Sequence, residues 1–274
     1  AADVAQPSFK AKAISFTLAG GIMGGVLGPE VAKYSRELIA GHLYMGAYLA
    51  ISTVAVVAML ILTRLDIPRL TQEERSGPTR ALPEIMRQPD FIVAALAAMM
   101  SYGIMNLMMT STPLAMRAHE HHFNDSVFVI EWHVIGMYAP SFFTGSVIQR
   151  FGVLQVMLVG VLINIFAIAS ALMGTDVSNF WWAMFLNGVG WNFMYIGASA
   201  LLTECHTPAE RAKTQAANDF MIFATMAVSS MSSGLLLQKS GWNAVNWGAL
   251  PFIAAAGFGV FWLLFRRRSA AAAA

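Results

Sequence analysis

Charge is scarce in this chain. Asp, Glu, Lys and Arg make up 12% of its 274 residues, about half the share of a soluble domain. That excludes an ordinary water-facing surface. A net charge of +2 gives no footing for nucleic acid as a partner. Cysteine is scarcer still. Cys205 stands alone, which excludes an intrachain disulfide and a cysteine-based zinc cluster. The sequence has no nucleophile paired with a base, no phosphate-cradling glycine loop and no carboxylate dyad, so an enzyme reading has nothing to rest on. The opening "AADVAQPSFKAK" lacks the layout of a signal peptide. It begins at Ala1 rather than Met, and the natural start is expected upstream.

Apolar residues are what the chain has in excess, at 57%, with a mean hydropathy of +0.59. This predicts an all-α integral membrane protein whose partner is the lipid bilayer. A crossing helix needs about 20 apolar residues. Eight stretches qualify: 13–32, 43–63, 92–115, 126–148, 153–173, 180–202, 218–237 and 245–265. The longest polar interruption, 64–90, carries prolines and mixed charges and reads as a linker between two bundles. With eight spans, the connecting segments alternate sides. One side collects thirteen Lys and Arg, including Lys10, Lys12, Arg64, Arg69, Arg75 and Arg266 to Arg268. The other has four: Lys33, Arg36, Arg117 and Lys239. The positive-inside bias places both termini and the linker in the cytoplasm.

The segment "PSFKAKA" at 7–13 is echoed by "PAERAKT" at 208–214, with basic residues at the same offsets. "GGVLGP" at 24–29 is a Gly-x-x-x-Gly-Pro run, and Gly20, Gly24 and Gly28 share a helix face suited to close packing. "GSVIQRFG" at 145–152 matches a Gly-x-x-x-acid-Arg-x-Gly loop except that Gln149 stands at the acidic position. With these motifs the chain resembles the major facilitator superfamily, whose halves are parallel repeats. The resemblance implies a major facilitator fold with eight helices present, equivalent to helices five to twelve. Residues 1–63 would be the last two helices of the amino-terminal bundle, 64–90 the cytoplasmic linker, and 91–274 the carboxyl-terminal six-helix bundle. About four helices are then expected upstream.

Within the spans, "HVIGM" puts His133 and Met137 on one helix face, and "MNLMM" does the same for Met105 and Met109 one span earlier. Thioether suits Cu(I), and imidazole suits copper, zinc, iron or nickel. With no cysteine or paired carboxylates nearby, the set favours copper. At 1.5 Å per residue, Met109 lies nearest the outer face and Met137 furthest inward, a staircase for hand-over. The bland reading is packing, because 18 methionines produce such spacings by chance and methionine fills apolar gaps well.

The same four residues resemble the signature of CcoA-type copper importers. That resemblance implies copper uptake by alternating access for cbb-type cytochrome oxidase assembly. Copper would be the transported ion, with no permanent cofactor, and a cytoplasmic copper chaperone would be a partner. Two rival readings stay open. One is a transporter of a small organic solute such as a vitamin or drug, with Asn187, Trp191 and Asn192 lining its cavity. The other is a non-transporting membrane assembly subunit.

Further candidates carry a metal role or a bland one. His119, His121 and His122 in "HEHH", with His42, form an entry site or a solvated outer turn. Cys205 and His206 form an exit site or an ordinary loop end. Asn187, Trp191 and Asn192 serve equally as interhelical packing. Glu131, two residues from His133, points to a different face.

Overall fold

The computed structural model describes residues 5–42, 44–64 and 77–273. Among the described residues every regular element is helical. They are α1 (Lys10–Ala19), α2 (Gly21–Ser35), α3 (Met45–Leu62), α4 (Leu82–Met86), α5 (Pro89–Ala118), α6 (Phe123–Tyr138), α7 (Ser141–Phe151), α8 (Val153–Leu172), α9 (Val177–Leu202) and α10 (Arg211–Ala273). Residues 65–76 of the expected linker, with Arg69 and Arg75, lie outside the described residues, as do Ala1 to Val4.

The echoed segments have one local shape. Each is a 3-10 turn begun by a proline, Pro7–Phe9 and Pro208–Glu210, running into a long helix. Proline at a first helical position loses no bond it would otherwise make. The second turn is closed by a capping box between Thr207 and Glu210.

Among the described residues, five helical runs are long and apolar enough to cross a membrane: Lys10–Ser35, Met45–Leu62, Pro89–Ala118, Val153–Leu172 and Pro208–Ala270. The expected count of eight is therefore not reproduced by length and hydropathy, for three local reasons. The stretch 126–148 is divided between α6 and α7 at Ala139 and Pro140. Helix α9 dilutes its apolar run with Asn187, Trp191, Asn192 and Tyr195. The last two stretches join in α10, which bends at Gly241, where φ is 78°; only glycine takes that conformation without strain.

Helix α5 sits in the middle, packed against α9 and α10, while α9 also packs on α6 and α8. Close approach of α6 and α9 depends on glycine. A Cβ on Gly136 would lie 2.6 Å from the Phe185 carbonyl oxygen, and one on Gly188 would lie 2.8 Å from the Met137 nitrogen. Of the Gly20, Gly24 and Gly28 face, Gly24 and Gly28 have open space beside them among the described residues. Instead Gly21 receives the Tyr138 ring and Gly25 the Val134 side chain, so α2 meets α6 one residue around from the expected face. Outward, Phe166, Trp247, Phe258 and Phe261 are exposed, which suits contact with lipid.

The linker end is tied to the bundle's polar edge. Arg80 donates from Nε and Nη2 to the two carboxylate oxygens of Glu210, at 2.9 and 2.7 Å. Lys213 donates to the Arg80 carbonyl. At the far end, Arg267 of "RRR" bonds to Asp90 and, at 2.8 Å, to Glu204, clamping α10 to the start of α5 and the end of α9. Gln149 donates to the Ser8 carbonyl, so this loop is held by a neutral contact.

Candidate functional site

Three helices bring one apolar–aromatic cluster together. Met105 from α5, Met137 from α6 and Trp191 from α9 are buried against one another, with Tyr102, Met109, Tyr138 and Tyr195 packed around them. Helical spacing explains the set: Tyr102 precedes Met105 by one turn, and Tyr195 follows Trp191 by one turn. Trp191 and Tyr195 are stacked at 5.1 Å with 15° between planes. Tyr102 stands edge-on to both, at 5.1 and 4.9 Å. Tyr138 meets Trp191 edge-on at 6.0 Å. Sequence reading reached Trp191 but missed Tyr102, Tyr138 and Tyr195. The one-turn spacing to Trp191 and to the methionines was the signal available.

The structure thus puts Met105, Met109 and Met137 in one cluster, although their shared neighbour is an indole. His133 lies one turn away on α6 and is fully buried. Its Nδ1 is 2.7 Å from the Met184 carbonyl oxygen. A carbonyl only accepts, so Nδ1 carries the proton there and Nε2 is left as an acceptor. Thr112 donates to the Met184 sulfur at 3.1 Å, tying α5 into the same layer.

Asn187 and Asn192 point to neighbouring helices. The Asn192 amide donates to the Met137 carbonyl and to Ser141 Oγ, each at 2.6 Å, and accepts from Thr144 at 2.7 Å. The Asn187 amide donates to Asn164 Oδ1 at 3.1 Å. Both are fully buried. Their bonds align α9 with α6, α7 and α8 and so set the position of Trp191 between them.

The remaining candidates scatter. His119 ends α5, exposed, on the wall of a cleft of about 720 Å³ beside the α10 bend. His121 Nε2 lies 2.6 Å from the Thr175 carbonyl oxygen, and His122 precedes α6 as its N-cap. His42 is exposed in the loop after α2. The Cys205 thiol is buried, and its carbonyl accepts from Arg80 and Gln88 at 2.9 Å. His206 Nδ1 lies 3.1 Å from the Thr207 carbonyl oxygen. Glu131 faces Glu30 of α2, away from the methionines. Among the described residues, no three His, Cys, Asp or Glu side chains converge.

The Major Facilitator Superfamily pattern matches residues 120–274. The chain belongs to the major facilitator superfamily. It is a multi-pass membrane protein of a transport family, not an enzyme. It is 40% identical over 256 residues to the riboflavin transporter RfnT of Brucella anthropi, covering 93% of this chain and 64% of that protein. It is 28% and 26% identical to two uncharacterised MFS-type transporters of Bacillus subtilis, YdeG and YddS. Each of those matches covers 89% of this chain and 60% of the relative. The chain therefore spans less than two thirds of the length of the curated relatives it matches.

These relatives correct the copper reading. The 40% identical relative is named for riboflavin, not for a metal. The physical reason for the error is that His-x-x-x-Met and Met-x-x-x-Met spacings guarantee a shared face and nothing more. Here the methionines of those faces pack on aromatic rings, and His133 faces the Met184 carbonyl. The supply of copper to an oxidase falls with the copper reading.

Proposed function

We propose that this chain is the larger part of an inner-membrane transporter for a vitamin-class organic solute with a flat heteroaromatic ring, riboflavin being the first candidate. The observation that carries the proposal is the preassembled aromatic cluster in which Tyr102 and Tyr195, both partly exposed, are backed by the buried Trp191, Met105 and Met137. Flat rings stack on such surfaces, and polarizable thioethers adapt to their edges. The 40% identity to a riboflavin transporter supports the same class. In this reading the eight apolar stretches are eight spans, equivalent to helices five to twelve. Residues 1–63 belong to the amino-terminal bundle, 64–90 link the bundles in the cytoplasm, and 91–274 form the carboxyl-terminal bundle. Both ends of the chain are cytoplasmic, in keeping with its lysine and arginine bias. The two bundles rock about the solute in alternating access.

The test is uptake of labelled riboflavin by a riboflavin-auxotrophic bacterium that expresses the full-length protein. Uptake is expected for the wild type and is expected to fall at least tenfold for Trp191→Ala at equal membrane abundance. No uptake above the empty host would refute the proposal.

A further inference from the structure

The aromatic surface accounts for the flat part of a solute, and a carboxylate stands at its edge. Asp219 lies on α10, eight residues after its first residue, Arg211. That is about 12 Å along the helix. Helices α5 and α10 run side by side from their starts. Asn106 of α5 donates to the Met226 carbonyl at 3.1 Å and to Ser229 Oγ at 2.8 Å, and a Cβ on Gly103 would lie 3.0 Å from Thr225. This register sets Asp219 below Tyr102, whose side chain leans back toward the start of its helix. The Asp219 carboxylate is close enough to interact electrostatically with both the Tyr102 and the Tyr195 hydroxyls.

The local partners suit a polyol. Gln215 donates to Asp219 Oδ1 at 2.8 Å, and Asn218 reaches the same oxygen at 3.4 Å. These bonds leave Oδ2 to other donors. Asp219 is half-buried while Gln215 is exposed. Asp219 stands where the polar opening of α10, 211–218, gives way to its apolar run at Phe220.

We propose that Asp219, with Gln215 beside it, receives the hydroxyl groups of a neutral polyhydroxyl tail on the solute whose ring lies against Tyr102 and Tyr195. The carboxylate accepts hydroxyl hydrogens, and the amide both donates and accepts. An anionic tail such as a phosphate ester meets the Asp219 charge and is rejected. The inference rests on the flavin reading and adds to it a specificity determinant: ribityl over methyl, and alcohol over phosphate.

The test is flavin binding to the purified full-length protein, followed by quenching of flavin fluorescence. The ligands are riboflavin, lumiflavin (a methyl in place of the ribityl tail) and riboflavin 5′-phosphate. The wild type is expected to bind riboflavin more tightly than the other two. Asp219→Asn, nearly isosteric, is expected to weaken riboflavin about 10- to 100-fold, the range for hydrogen bonds to a charged group. Lumiflavin affinity should stay unchanged, which also reports an intact fold, and the penalty on the phosphate ester should shrink. Riboflavin affinity unchanged in Asp219→Asn, or riboflavin and lumiflavin weakened equally, would overturn the role of Asp219 while leaving the flavin reading standing. A wild-type protein that binds neither riboflavin nor lumiflavin would overturn both.

Discussion

Trp191 and Tyr195 lie one turn apart on α9 with their rings nearly parallel, 5.1 Å between centroids and 15° between planes. Tyr102 closes the corner from α5. Aromatic pairs of this kind contribute about 0.5–1.5 kcal/mol beyond their buried area. The surface is therefore held by the protein before any solute arrives, and binding does not have to order it.

The methionines beside those rings act by shape. Met105→Leu and Met137→Leu conserve volume and are expected to cost under about 1.5 kcal/mol in stability. Riboflavin uptake per folded transporter should stay within about threefold of wild type. Uptake assays on the two variants, normalised to membrane abundance, check this. A loss as deep as that of Trp191→Ala would mean that the sulfur itself is required.

The α6–α9 contact depends on the absence of side chains. Gly136→Ala would press a methyl onto the Phe185 carbonyl, which as backbone gives little way. The expected cost is about 1–3 kcal/mol, seen as a fall of several degrees in the melting temperature of detergent-solubilised protein. Gly24→Ala faces open space in a helix, and alanine is the better helix former by about 1 kcal/mol. Its melting temperature should hold or rise. Equal losses in the two variants would refute the packing argument.

The Arg80–Glu210 pair makes stability depend on acid. The Arg80 guanidinium bonds both oxygens and holds the Glu210 carboxyl well below the usual carboxylate range, helped by the Thr207 N–H. A carboxyl depressed in the folded state contributes stability above its unfolded pKa, about 4.3. That contribution is lost as pH falls through the folded value. The melting temperature is expected to be flat from pH 8 to 5 and to fall below about pH 4.3. Glu210→Gln should melt lower at pH 7 and lose this part of the acid slope. Identical acid slopes in the two proteins would assign the effect elsewhere.

Cys205 offers a clean probe, because it is the one cysteine in the sequence. Burial pushes its thiol up to about 12, with Asp90 adding to the shift, and the residue is 2% exposed. The thiolate is the reactive form. Maleimide labelling at pH 7.5 is therefore expected to be at least tenfold slower in the folded protein than in SDS. Fast labelling of folded protein would place Cys205 on an accessible surface.

The spacing of His133 and Met137 shows how far periodicity reaches. An i, i+4 pair identifies a face but not what that face meets. Several packing partners suit a methionine pair, and a metal was one of them. The glycine run at 20–28 failed in a related way. The stripe was legible, but α6 packs on Gly21 and Gly25, one residue around, because Tyr138 and Val134 need the space there.

The sequence by itself determined that this is a helical membrane protein of the major facilitator superfamily. Low charge and long apolar runs leave few other ways to satisfy a backbone in lipid, and the motifs mark the family. It also marked Trp191, Asn187 and Asn192 as residues of interest. Only the tertiary structure decided what they do. Asn192 bonds to Met137, Ser141 and Thr144, and Gly136 with Gly188 lets α6 and α9 close. That fixes the rotation and depth of α9, and so places Trp191 and Tyr195 against Tyr102. Helix rotation is set by the sum of interhelical contacts, and no single segment of sequence contains that sum.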